Sequence, residues 1–132
     1  MKCTEWFVDA DTHVTEPGDV WTSRLPRKHQ DAAPRMVRTD DGVDVWQFGS
    51  RQRKIPVGAT AVAGWPQPFP SIPRNLDECP PAAYDAKARL EYMDRIGAWA
   101  MALYPNIGGF GSETFLGLDD PELMLACVRA YN

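Results

Sequence analysis

Residues 85–104 constrain this chain more than any others, because they run a helix straight into a strand. Ala86, Leu90, Met93 and Ile96 or Gly97 recur at i, i+4, i+7 spacing, which is one apolar helical face. Asp85 suits the helix start and Gly97 its left-handed end. Trp99-Ala100-Met101-Ala102-Leu103-Tyr104 follows at once as a continuous apolar run closed by Pro105, the pattern of a strand buried on both faces. Upstream, Trp6-Phe7-Val8-Asp9-Ala10 reads as a short strand that ends in polar residues and then at Glu16-Pro17. Strand–helix–strand order predicts a right-handed crossover and a parallel pair, hence an α/β class.

A long excursion separates the first strand from the helix. Residues 18–34 mix proline and charge and allow one short helix at most. A meander is predicted at 35–39, 43–48 and 51–55, with Asp41-Gly42 as a type I′ hairpin turn and Gly49-Ser50 as the second reversal. Seven of the chain's 12 prolines then fall between Pro56 and Pro81, around Trp65-Pro66-Gln67-Pro68-Phe69-Pro70. A loop of that length is usually a lid, a binding loop or an interface arm. After the apolar strand, Asp119-Asp120-Pro121-Glu122 opens a second helix with an acidic cap and an early proline. Met124, Cys127, Val128 and Tyr131 give it an apolar stripe.

With 132 residues the chain holds one domain, read as a single incomplete domain over 1–132 with an insertion at 18–83. It is too short for an eight-stranded α/β barrel, which takes roughly 250 residues. Two parallel strands do not make a stable sheet alone, so the order of elements reads as the opening third of something larger.

Net charge is −4, which leaves no global footprint for nucleic acid, and no apolar run reaches membrane-spanning length. Residues 24–54 nevertheless carry eight Lys/Arg against four Asp. That reads as a solvated basic face or as a patch meeting an acidic substrate or a partner subunit. Cys3, Cys79 and Cys127 form no Cys-x-x-Cys pair, so neither a disulfide scaffold nor a zinc knuckle is indicated. Trp6-Phe7-Val8 is too short for a signal-peptide core, and the expected address is a reducing cytoplasm.

The densest chemistry is Asp9-Ala10-Asp11-Thr12-His13-Val14-Thr15-Glu16-Pro17. Period-2 alternation points Asp11 and His13 the same way, so a carboxylate oxygen and an imidazole nitrogen can meet one divalent ion. Taken alone, Asp-x-His has an ordinary structural alternative: a turn-capping histidine with an acidic neighbour as its ion-pair partner.

The stretch Val8 to Pro17 resembles the amidohydrolase-related (amidohydrolase 2) family, which includes aromatic-acid decarboxylases. Tyr84 to Gly97 is similar to that family's first helix, matching at Asp85, Arg89, Leu90, Met93, Asp94 and Gly97. Ala100 to Asn106 is similar to its second barrel strand, and the proline-rich stretch resembles an insertion that members carry. The resemblance covers essentially the whole chain.

It implies the N-terminal portion of a (β/α)8 TIM barrel, with the meander and proline-rich insertion between first strand and first helix. It also implies a divalent metal, zinc foremost and manganese as an alternative, with Asp11 and His13 as ligands; members often have His-x-His there. Glu16 matches the family's Glu-Pro, either beside the ligands, orienting substrate, or as a carboxylate capping the loop before Pro17. The implied activity is a hydrolase acting through a metal-activated water on a small molecule. Alternatives are a non-oxidative decarboxylase of an aromatic carboxylic acid and a non-catalytic truncated remnant. The family's further ligands, a histidine and a late aspartate, are not expected in this chain, and His29 is expected as an exposed loop residue. Arg51, Arg53 and Lys54 are candidates to face a carboxylate or to sit at solvated strand ends. Trp65 and Phe69 are candidates to line a pocket or a subunit interface. A homo-oligomer is expected, because Trp99 to Leu103 lacks a partner on one edge.

Overall fold

The computed structural model describes residues 5–48, 53–108, 115 and 118–132. Strand β1 (Phe7–Val14) pairs in parallel with β5 (Ala98–Pro105), as the order of elements predicts. Between them lie an antiparallel meander of β2 (Arg35–Arg38), β3 (Asp44–Phe48) and β4 (Arg53–Pro56), and helix α1 (Ala86–Ile96). Helix α2 (Pro121–Tyr131) follows β5. β1 is longer than its apolar residues suggest: pairing with β5 carries it through the polar motif to Val14, with a register shift between Asp9 and Thr12.

Local signals set the helix ends. The Asp85 carboxylate accepts the Ala88 N–H at 2.8 Å, and Gly97 closes α1 at φ 81°. At α2, Asp120 accepts from Glu122 and Leu123 at 3.0 and 3.1 Å, with Pro121 in the first turn. The β2–β3 reversal departs from the expected type I′ turn. Among its residues only Gly42 has positive φ, at 80°, and its N–H donates to Thr39 at 2.9 Å. That is a three-residue loop ending in a left-handed glycine. The Gly49-Ser50 turn lies outside the described residues.

Both helices bury only part of the stripe that their apolar spacing marks, together with neighbours it leaves out. In α1, Met93 and Ile96 are partly buried as expected, but Ala86 and Leu90 are exposed and Arg89 is buried. In α2, Leu123 and Cys127 are buried while Val128 is exposed. β5 also departs from the expectation of two covered faces: Trp99 is 72% exposed, and Leu103 and Tyr104 are about half exposed. The two-stranded sheet has α1 packed against β5, while Val8 of β1 and Trp99 of β5 face solvent.

The hydrophobic core lies elsewhere. Val20, Trp21 and Leu25 of the excursion meet Trp46 and Phe48 of β3, Ile107 and Phe115, and Leu123 and Cys127 of α2. The segment after β1 is therefore half of the core rather than a loose insertion. Its cations are largely spent inside the molecule. Arg24 donates to the Ala130 carbonyl at 2.9 Å, Lys28 pairs with Glu122, and Arg35 donates to the Gln30 carbonyl at 2.7 Å. In the proline-rich segment a Cβ on Gly58 would lie 2.0 Å from the Pro73 carbonyl oxygen, so only glycine allows that approach.

Asp44 fastens this segment to the meander. It is buried, accepts both Arg38 Nε and Nη2 at 2.8 and 2.9 Å, and takes the Leu76 N–H at 2.9 Å. The Arg38 hydrogen bonds hold its carboxyl below the usual aspartate range, against the opposing effect of burial. Because the folded value is depressed, this stabilisation is present above the ordinary aspartate range and is lost as pH falls through the folded value. Asp44→Ala is expected to cost about 2 kcal/mol near neutrality. It should also flatten the acid limb of a stability–pH curve from urea unfolding.

Candidate functional site

β1 delivers Asp11 and His13 to one side of the parallel pair. Asp11 Oδ1 lies 3.7 Å from His13 Nε2, with side chains 88% and 12% exposed respectively. Alternation along β1 thus brings the two side chains together. Two ligands held at about 2.0–2.2 Å by one tetrahedral ion stand roughly 3.3–3.6 Å apart, a separation close to that of this pair. Among the described residues no group of three or more His, Cys, Asp and Glu comes together, so these two are a pair and not a full ligand set.

His13 is held from two sides. Its backbone carbonyl accepts Arg89 Nη2 at 2.8 Å, and its ring lies 6.0 Å from that of Tyr104, its register partner on β5. Arg89 is 5% exposed. It also donates through Nε to the Ala82 carbonyl, and at 3.4 Å each to the Ala83 carbonyl and Thr12 Oγ1. Burial pushes its pKa down, opposed by the charges of Tyr92 and Asp9. Sequence reasoning matched Arg89 to a family position but gave it no role. The signal was available: Arg89 stands four residues before Met93 and seven before Ile96, a cation on the inward stripe.

Glu16 lies just past the end of β1 and is 1% exposed. Its Oε1 accepts the Ile107 N–H at 2.8 Å, capping the turn after β5 from the other strand. Around it, Asn106 Nδ2 donates to the Ala61 carbonyl at 2.9 Å and to Thr15 Oγ1 at 3.4 Å. Burial raises the Glu16 pKa against the lowering effect of backbone N–H groups, that of Ile107 first. Tyr131 faces it from α2, its phenol pushed up by burial and then by the Glu16 charge.

Other candidates fall away from the Asp11–His13 pair. His29 is buried in a 3₁₀ turn (Arg27–Ala32), not exposed, and lines a cleft of about 450 Å³ with Arg24, Lys28, Glu122 and Arg129. Trp65 is half-buried and donates to the Ser71 carbonyl at 3.0 Å, while Phe69 is 91% exposed. Arg51 and the side chains of Arg53 and Lys54 lie outside the described residues. Cys79 and Cys127 are buried free thiols raised to about 11 by burial, which makes them poor nucleophiles. An apolar cleft of about 500 Å³ between α1 and β5, lined by Leu90, Met93 and Leu103, contains neither Asp11 nor His13. Among the described residues no helix is long and apolar enough to cross a membrane.

No family model matches the chain, and no curated protein matches it. Among solved structures, the fold is similar to an amidohydrolase from Mycobacterium avium subsp. paratuberculosis K-10, at TM-score 0.66 and 21% identity. The match covers 98% of this chain and 37% of that one. In fold, then, this mixed helix–strand chain corresponds to part of an amidohydrolase, spanning little more than a third of its length.

Proposed function

We propose that this chain is the N-terminal portion of a (β/α)8 barrel and supplies the first two ligands of a metal-dependent hydrolase of the amidohydrolase superfamily, acting on a small molecule. The observation that carries the reading is the Asp11–His13 pair, 3.7 Å apart in the carboxyl-terminal half of a strand with a parallel neighbour. Barrel enzymes build their sites at the carboxyl ends of their strands. The fold likeness and the D-A-D-x-H-V-x-E-P stretch support the same reading.

Asp11 and His13 would hold a zinc or manganese ion, which would supply Lewis acidity and lower the pKa of a bound water. The chain's own contribution is positional. Arg89 fixes the His13 backbone, Tyr104 limits where the imidazole can swing, and the exposed Asp11 carboxylate is open to an ion from solution. Further ligands and a general acid or base would come from residues beyond those described. On this reading the exposed apolar side chains of β1 and β5 are the surface that further strand–helix units cover.

The test is a calorimetric titration of the purified chain with zinc and with manganese. About one ion per chain is expected, with affinity reduced at least about tenfold in Asp11→Ala and in His13→Ala. Binding that both substitutions leave unchanged would overturn the proposal in favour of a non-catalytic remnant.

A further inference from the structure

We propose that the cleft between the 3₁₀ turn (Arg27–Ala32) and helix α2 binds a small phosphate monoester with a short apolar body, its phosphate held by Arg129, His29 and the uncommitted edge of Arg24.

The fold, and not chain order, assembles these groups. Arg24, Lys28 and His29 come from the excursion after β1, and Arg129 comes from α2, beside the Ala130 carbonyl that Arg24 reaches across 106 residues. The cleft measures about 450 Å³, within the size of sites that take small molecules. Pro26, Leu125 and Ala126 give it an apolar wall. Asp11 and His13 do not line it, so it is separate from the proposed metal ligands.

The charges around the cleft do not balance. Glu122, the carboxylate that lines it, pairs with Lys28, and that hydrogen bond holds its carboxyl below the usual glutamate range. The neighbouring Asp120 carboxylate is occupied as the α2 cap by the N–H groups of Glu122 and Leu123. Arg24 and Arg129 are left with no carboxylate among the described residues. Arg24 donates through Nη1 to the Ala130 carbonyl and keeps the rest of its fork. Cations at the negative end of a helix are ordinary, and that accounts for Arg24. It does not account for His29, which is 7% exposed and lines the cleft while its imidazole makes no hydrogen bond among the described residues. Buried polar groups are normally paired, and an imidazole carries an N–H donor in either tautomer. A ligand oxygen in the cleft supplies the missing acceptor. Two guanidinium charges match the phosphate of a monoester, which carries about −1.5 to −2 near neutral pH, and their planar donors suit its oxygens. The net charge of −4 disfavours a polyanion in its place.

Calorimetric titration of the metal-free chain with phenyl phosphate, inorganic phosphate and succinate at low salt tests this. Phenyl phosphate should bind at about one per chain and more tightly than inorganic phosphate, because only the ester reaches the apolar wall. Arg129→Gln should weaken it at least about tenfold, the loss for a charge-assisted contact. Arg129 is exposed, so urea unfolding should find this variant folded. Arg27→Gln removes the same charge from the same turn without touching the cleft, and should change the affinity less than about twofold. Nitrogen-15 spectra of labelled wild type need no variant: phenyl phosphate should shift the His29 imidazole signals and leave those of His13 in place. Equal losses in Arg129→Gln and Arg27→Gln would mean diffuse attraction to a basic face and would overturn the proposal. So would unmoved His29 signals, succinate binding more tightly than phenyl phosphate, inorganic phosphate binding as tightly as the ester, or no binding up to about 10 mM.

Discussion

Trp21→Ala should lower the stability of the folded chain by about 3–5 kcal/mol, the range for emptying a large aromatic site in a packed core. Trp21 is fully buried and sits at the junction of three segments distant in sequence. Its ring meets Trp46 of β3 edge-on at 5.1 Å and Phe115 at 5.6 Å. Its indole N–H donates to the Cys127 carbonyl of α2 at 3.1 Å. Truncation therefore empties the core and leaves a helical carbonyl without that donor. Trp21→Phe keeps most of the packing and should cost less, about 1 kcal/mol for the lost hydrogen bond plus a smaller amount for the lost ring volume. Guanidinium unfolding of both variants checks the magnitudes. Hydrogen exchange should show α2 amides opening first in Trp21→Ala, because that helix loses the indole hydrogen bond and much of its packing against the excursion.

Arg89→Ala is expected to cost about 2–4 kcal/mol, the level of leaving several buried carbonyls without a donor and removing a buried side chain. Here the loss falls on carbonyls. Ala82, Ala83 and His13 all lose a donor beside the cleft between α1 and β5, and loss of the guanidinium stem leaves a gap there. Arg89→Lys should recover little of this, because one ammonium cannot reproduce a planar fork that reaches three carbonyls. If Asp11 and His13 bind metal as proposed, the same substitutions should weaken zinc binding as well as folding. The His13 backbone is the point that Arg89 holds. Calorimetric titration well below the unfolding transition distinguishes this from simple loss of folded protein. Unchanged affinity in folded Arg89→Lys would show that the Arg89 contact stabilises the fold without positioning the histidine.

The elements that short-range chemistry dictates were legible in the sequence. Asp85 and Gly97 at the ends of α1, Asp120-Pro121 opening α2 and the antiparallel meander all stand where local capping and alternation predict. So does the parallel β1–β5 pair, because a helix between two strands leaves few alternatives. The convergence of Asp11 and His13 was legible for the same reason: alternation along a strand is local geometry. The buried faces were not. Leu90 and Val128 have the spacing of core residues yet are exposed, and Arg89 has the chemistry of a surface residue yet is buried. Spacing marks a stripe, but the neighbours decide how the helix rolls on it.

By itself, then, the sequence determined the element order, the caps, the pairing of β1 with β5 and the approach of Asp11 to His13. Each follows from interactions within a few residues, or from the stereochemistry of a strand–helix–strand connection. Only the tertiary structure decided where the core sits, between the excursion and α2, since Trp21 and Cys127 are 106 residues apart. It alone decided that Glu16 is sealed against Ile107, 91 residues away, and not spread on a loop surface. Burial at such separations depends on which distant surfaces close over a side chain. No local pattern of residues carries that information.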